Sequence, residues 1–369
     1  MPKSTPIASN ISSTFVAKAH VSGDGPDIVI DDQADETQSA SGTSPSGSAY
    51  SDYVQLFKNA GPSGDGTDSF TAQKVAFSSG TPYFEYATSA VAGNFGGDGR
   101  ADDLVVASNG GGVNFPRGEV YGHVSLVMSG TGGTFGAPID LADGTEHDSY
   151  HVAIGDFNGD GNEDIAIAGT QSSTVKIFLG NGNGTFTTNT FTASFDPTFI
   201  ASADLDGKTF TNSTTHVTNP IDDIVIGSGS SLAIILGNSA GTFTGVNVTL
   251  GSNSFNSVVA ADINGDGIPD LVLSGGTQVG TVLGSSSDSF SSLTQHFFAP
   301  NSATTIAVAD VNGDGKPDLF PAENSNNSRQ KVVNAYWTAR IIRYQERVSE
   351  RTTTYPGVGW RDTPRRLAA

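Results

Sequence analysis

"DFNGDGNEDIAIAG", residues 156–169, sets four carboxylates and three glycines against a run of apolar residues. A folded chain does not bury a segment beside unpaired charge without a compensating partner. The same arrangement returns as "DINGDGIPDLVLS" at 262–274 and "DVNGDGKPDLF" at 310–320. Whatever neutralises the first copy must therefore act on the fold as a whole.

Aligning the acidic loops gives six starts, at His20, Asn94, Asp156, Asp204, Asp262 and Asp310, spaced by 74, 62, 48, 58 and 48 residues. A period in this range marks a solenoid or propeller. Each unit opens with a short apolar stretch, such as "HVAI" (151–154) or "SVVAA" (257–261). The loop follows, then a second apolar run: "LVVA" (104–107), "IAIA" (165–168), "IVIG" (224–227), "LVLS" (271–274). A third segment ends in a glycine turn and a phenylalanine, as in "VKIFLGNGNGTF" (175–186) and "LAIILGNSAGTF" (232–243). A strand with one wet face would alternate apolar and polar residues. The second run does not alternate, so it needs cover on both faces, which stacked propeller blades supply. The expected fold is all-β, a propeller over residues 1–330.

In the first loop, Asp156, Asn158, Asp160, Asn162 and Asp164 stand at positions 1, 3, 5, 7 and 9, and Gly161 at position 6 permits a sharp turn. Side chains at 1, 3, 5 and 9 and the backbone carbonyl of 7 are hard oxygen donors, the set that selects calcium over zinc. The counterparts are Asp262, Asn264, Asp266, Ile268 and Asp270, then Asp310, Asn312, Asp314, Lys316 and Asp318. The loop begins like an EF-hand but lacks its glutamate at position 12, where Ile167, Leu273 and Pro321 stand, and its flanks are strands. Three carboxylates against one Ca²⁺ leave a charge of about −1, which a neighbouring buried strand tolerates.

The other copies are weaker. "NFGGDGRAD" keeps Asn94, Asp98 and Asp102, with the carbonyl of Arg100 at position 7, and a metal is expected there. The fourth copy keeps Asp204 and Asp206 and needs Asp222 or Asp223 from beyond the insertion "KTFTNSTTHVTNP" (208–220). The first, "HVSGDGPD", keeps Asp24 and Asp27, is one residue short, and is expected to hold none.

The three full loops, the apolar run after each and "GTFGAP" at 133–138 resemble the FG-GAP repeats of integrin-alpha-type β-propellers, found also in bacterial surface proteins and some fungal lectins. The resemblance spans about 20–330. It implies six or seven four-stranded blades with calcium in the hairpin loops, liganded by the matching residues above.

Composition sets bounds. The chain has 369 residues, a net charge of −20 and no cysteine, which excludes disulfides, thiolate zinc sites and cysteine nucleophiles. Residues 329–369 hold nine of the 18 Lys+Arg and three of the 38 Asp+Glu, so this tail is basic and the rest more acidic than the total. An acidic body repels nucleic acid and anionic lipid and suits cations. No apolar run nears 18 residues, so no membrane insertion is expected. The start, "MPKSTPIASNISSTFVAKAH", lacks the apolar centre of a secretory signal. Residues 331–369 are expected to be a helical or disordered appendage.

The reading favoured is a non-enzymatic, calcium-binding adhesion or recognition module, extracellular or at a cell surface, with a glycan or surface protein as ligand. Its long polar insertions, 31–52 and 208–220, are the expected recognition surface. The alternative is a polysaccharide lyase or hydrolase on the same scaffold, with His123, Tyr150 and His151 as the available groups. "HDSYH" (147–151) leads into a strand and is not read as a zinc pair, and "DGKT" (206–209) lacks the first glycine of a phosphate-binding loop.

Overall fold

Segments rich in β-branched residues, punctuated by Gly, Asn and Asp, form strands and tight turns. In the computed structural model the described residues are 16–19, 27–31, 53–62, 68–77, 85–100, 102–110, 122–130, 133–142, 150–276, 278–290, 292–298, 303–310, 317–323, 335–336 and 343–344. Every regular element among them is a strand.

The strands group into four-stranded antiparallel sheets in chain order. The first is β1 (Val16–Ala19), β2 (Asp27–Asp31), β3 (Tyr53–Pro62) and β4 (Asp68–Ala76). The second is β5 (Glu85–Gly93), β6 (Asp103–Gly110), β7 (Val124–Val127) and β8 (Ile139–Ala142). The third is β9 (Tyr150–Gly155), β10 (Asp164–Gly169), β11 (Thr174–Gly180) and β12 (Phe186–Thr192). The fourth begins with β13 (Phe199–Ala203). A separate hairpin, β14 (Thr209–Thr211) and β15 (Thr218–Pro220), interrupts it before β16 (Asp223–Ser228), β17 (Ser231–Leu236) and β18 (Thr244–Thr249). The fifth is β19 (Ser257–Ala261), β20 (Asp270–Gly275), β21 (Gln278–Val282) and β22 (Thr294–Phe298). The sixth is β23 (Ala303–Ala309), β24 (Asp318–Glu323), β25 (Ala335–Tyr336) and β26 (Arg343–Tyr344). The first strands neighbour one another in succession, β1 to β5, β9, β13, β19 and β23, a propeller-like arrangement of small sheets.

The sheets pack face to face, and this explains the unbroken apolar runs. All six residues of β10 are buried. Ile165 and Ile167 enter a cluster with Val105, Ala107, Val124 and Leu126 of the second sheet. Ala166 and Ala168 face the other way, into a cluster with Ile224, Ile226, Ala233 and Ile235 of the fourth. Small residues on one sheet meet large ones on the next, which fills the layer to interior density. Leu271 and Leu273 of β20 repeat the pattern against the fourth sheet, while Val272 meets Ile306 and Leu319 of the sixth. Outer strands such as β12, "FTTNTFT", are threonine-rich and half exposed, as suits a sheet edge.

From the second sheet to the fifth, the loop between the first two strands is described apart from Ala101. Four blades are thus described with strands and loop together, against the six or seven expected. In the first and sixth sheets that loop lies outside the described residues, as does most of insertion 31–52. The last two strands of the sixth sheet are described over two residues each, and no Gly-Thr-Phe segment follows residue 323. Four residues of the basic tail are described, and they pair as β25 and β26; the rest of the tail lies outside the described residues.

Phe157 is fully buried between the third and fourth sheets. Phe157→Ala is expected to cost about 3–5 kcal/mol, read as a lower urea midpoint at unchanged slope. A loss under about 1 kcal/mol, far below a core Phe→Ala cost, would contradict this account of the seam.

Candidate metal centres in the acidic loops

The loops at 156–164 and 262–270 close on themselves through the same bonds. Asp156 Oδ1 accepts from the amides of Gly159 (2.7 Å) and Asp160 (3.0 Å), and Oδ2 from Gly161 (2.8 Å). Asp262 accepts likewise from Gly265 (2.7 Å), Asp266 (3.2 Å) and Gly267 (2.9 Å). At position 3, Asn158 and Asn264 each accept the amide two residues on at 2.8 Å and turn their side-chain NH₂ to the Asp at position 5. The glycines at positions 4 and 6 are left-handed: φ is 75° and 90° in the first loop, 81° and 89° in the second. A side chain there would be strained.

The position-9 aspartate does a different job. Asp164 is fully buried and opens β10. Its Oδ2 accepts from Phe157 N at 2.8 Å and its Oδ1 from Gly180 N, at the end of β11, at 2.7 Å. Asp223 takes Leu205 N and Gly237 N, both at 3.0 Å. Asp270 takes Ile263 N and Gly284 N, both at 2.9 Å. In the second sheet the residue in this role is Asp103, bonded to Phe95 N (2.9 Å) and Ser129 N (2.7 Å). The expected Asp102 is therefore displaced by one, because this loop carries an extra residue between Asn94 and the strand. Burial drives these carboxyls up despite the amides: Asp164 to about 8, with Asp156 and Asp160 adding repulsion, and Asp223 to about 7. Burial also raises Asp156, Asp270 and Asp103.

Two further carboxylates join neighbouring sheets. Glu163 Oε2 accepts Asn94 N at 2.8 Å, and Asp222 Oδ2 accepts Asp156 N at 3.1 Å. Asp222 N also donates to Asp156 O at 2.8 Å. The residue before the buried aspartate is acidic in the second, third and fourth loops (Asp102, Glu163, Asp222); Asp102 and Asp222 stand among the expected metal donors, and Glu163 has no role in the sequence reading. The inserted hairpin lies on the third loop as well. Asn219 Nδ2 donates to Gly159 O at 3.2 Å, and a side chain at Gly159 would strike Phe210 and Ile221.

Asp204, Asp206 and Asp223 offer carboxylate oxygens all within 4.8 Å of one another, an arrangement that could hold a metal ion. Among the described residues this is the one such acidic trio. Asp223, not Asp222, completes it. In the full loops position 3 is an Asn amide, Asn158 or Asn264, where the fourth loop has the carboxylate of Asp206. Lys208 lies in the fourth loop, its ammonium 2.8 Å from Asp206 and 2.7 Å from Asp288. In the second loop the Arg100 guanidinium contacts Asp102 and lies 3.4 Å from Asp98. The third full loop has Asp318 buried at the start of β24, whereas Asn312, Asp314 and Lys316 lie outside the described residues.

Of the groups considered for catalysis, Tyr150 and His151 face apart. Tyr150 is buried in the core between the second and third sheets. His151 follows it on β9, so the two point to opposite faces. Burial lowers the His151 pKa. The backbone of His123 is tied to Ser108.

An FG-GAP-like repeat model matches the chain three times, at 156–207, 219–273 and 262–320. The chain thus carries FG-GAP-like repeats across its third to sixth sheets. Among solved structures it is similar to an Agrocybe aegerita lectin that recognises non-reducing terminal N-acetylglucosamine, at 16% identity and TM-score 0.51, covering 88% of this chain and 80% of the lectin. It is also similar to a Lactobacillus plantarum protein (10% identity, 87% and 83% covered, TM-score 0.49) and to the V. cholerae biofilm matrix protein Bap1 (12%, 84% and 74%, 0.44). At these identities the likeness to the lectin is one of fold. No curated protein matches the chain.

The raised carboxyls predict a pH dependence for the metal-free protein. Above the ordinary value of 3.8, the folded chain holds protons at Asp164 and Asp223 that the unfolded chain has released. Stability is then full below about pH 4 and falls as pH rises through 7 to 8. Urea unfolding in chelator at several pH values should show this decline, and a bound divalent cation should flatten it. A stability that rises over this range in chelator would refute the assignment.

Proposed function

We propose that the chain is a calcium-loaded recognition module that works outside the cell or at its surface. The observation that carries the calcium reading is the identical bond set of the loops at 156–164 and 262–270, which arrays hard oxygens around each arc. The donors would be the side chains of Asp156, Asn158, Asp160 and Asp164 with the carbonyl of Asn162. In the next repeat they would be Asp262, Asn264, Asp266 and Asp270 with the carbonyl of Ile268, and Asp310 to Asp318 would follow the same pattern. Oδ1 of Asp156 and of Asp262 accepts two amides, while Oδ2 of each accepts one and keeps a lone pair that a cation could use. Calcium sites of extracellular modules bind at about 10⁻⁴–10⁻³ M, which matches a site lying on the surface.

A glycan or a surface protein is the ligand we favour. The repeat match fits recognition or adhesion, and the lectin of similar fold makes terminal N-acetylglucosamine the first sugar to test. A net charge of −20 disfavours nucleic acid, and no helix among the described residues is long and apolar enough to cross a membrane. Nothing is turned over in this reading.

Two measurements test it. Excess chelator should lower the melting temperature, with recovery in Ca²⁺ and much less in Mg²⁺, which sheds its water reluctantly; an unchanged melt sinks the calcium reading. A glycan array read in Ca²⁺ and in chelator should show binding to a restricted set of sugars. Incubation with acidic and neutral polysaccharides should leave them intact. New reducing ends or unsaturated products, lost in a folded His123 or His151 variant, would replace binding with catalysis.

A further inference from the structure

The fourth loop departs from the full ones at one decisive position. Position 5, an aspartate in the loops at 156–164 and 262–270, is Lys208 here. The exchange removes one negative charge and adds one positive. The backbone still forms the start of the motif: Asp204 Oδ1 accepts Gly207 N at 2.7 Å, Asp206 Oδ1 accepts Lys208 N at 2.9 Å, and Gly207 is left-handed at 68°. Asp206 is only 2% exposed, and a carboxylate buried in the charged form is favoured by a cation close by. Its Oδ2 lies 2.8 Å from the Lys208 ammonium.

The same ammonium reaches out of its own sheet. It donates to Asp288 Oδ1 at 2.7 Å, in the turn between β21 and β22 of the fifth sheet. Asp288 is a non-glycine residue in the left-handed region, at φ 56°, and its turn is closed by its own amide on Ser285 O at 3.2 Å. Ser285 N in turn donates to Leu205 O, in the fourth loop, at 2.9 Å. Burial pulls the lysine pKa down, but the bonds to Asp206 and Asp288 outweigh it and hold the amine charged.

We propose that the Lys208 ammonium is the resident cation of the fourth acidic loop, standing where the full loops take a divalent ion, and that through Asp288 it staples this repeat to the next. The likeness to a metal rests on the calcium reading above. Arg100 beside Asp98 and Asp102 repeats the device in the second loop. The repeats then divide into those neutralised from within the chain and those that depend on the medium.

The test counts bound calcium on the full chain by equilibrium dialysis with radioactive Ca²⁺. Lys208→Met keeps the aliphatic stem and frees Asp206 Oδ2, within the trio that Asp206 forms with Asp204 and Asp223. It is expected to bind one more calcium per chain than the parent and to gain more melting temperature from Ca²⁺. Asp206→Asn in the parent should leave the count unchanged, and Asp288→Asn should lower the melting temperature without adding a site. Loss of one calcium in Asp206→Asn, or a folded Lys208→Met with no added calcium, overturns the proposal. If Lys208→Met does not fold, Asp206→Asn decides alone. A parent that binds no calcium, with Lys208→Met binding one, would remove the reading of the full loops and keep this one.

Discussion

A buried carboxylate at the first residue of the second strand, from the second sheet to the sixth, is the interaction on which the repeat depends. Asp103, Asp164, Asp223 and Asp270 each accept from their own acidic loop, one amide at Asp164 and Asp223 and two at Asp103 and Asp270, and one amide from just beyond the third strand or at its end. Loop and sheet are joined at a point. Hydrogen bonds to a charged group contribute about 1.5–3 kcal/mol each. Desolvating the charge costs several kcal/mol, so the two effects nearly cancel. The raised pKa values show that burial wins when no cation is near. The same aspartate thus fixes the loop and makes its stability sensitive to positive charge.

That charge is supplied in more than one way. Backbone amides take part of it in every described loop. A tethered arginine or lysine answers it in the second and fourth. The third and fifth loops contain neither, and there the calcium proposed above would supply it. The strand seams inherit the difference. Lys208 and Asp288 close the seam between the fourth and fifth sheets from within the chain. The seam between the third and fourth runs through Asp156 itself, whose N–H and C=O both bond to Asp222.

The stacked-sheet architecture was legible because strands such as 165–168 are apolar at every position, and a pattern without alternation admits few other folds. The acidic loops were legible from their spacing. What counting could not see is register. Gly155 pairs with Asp164, Ala203 with Asp223 and Ala261 with Asp270, and in the second sheet Gly93 pairs with Asp103. A nine-residue count from Asn94 stops one short, at Asp102, because ladder pairing and not spacing decides which residue enters the strand. The role of Lys208 was hidden differently. Its position inside the loop was visible, but its partner Asp288 lies 80 residues away and only the packing of two sheets brings them together.

The insertion at 208–220 shows why surface position alone is a weak guide to use. Its polar sequence marks it as a loop free to recognise a partner. In the structure it is a hairpin whose Phe210 and Asn219 rest on the third acidic loop, against glycines with no side chain to give way. The strand residues that follow carry Asp222 and Asp223, one bonded to the preceding repeat and one to its own. A change anywhere in this hairpin therefore reaches two loops and one seam at once. Its exposed edge, Thr209, Thr211 and Val217 among it, is thus tied through Phe210 and Asn219 to the 156–164 loop, so the hairpin serves the packing of the repeats as well as their surface.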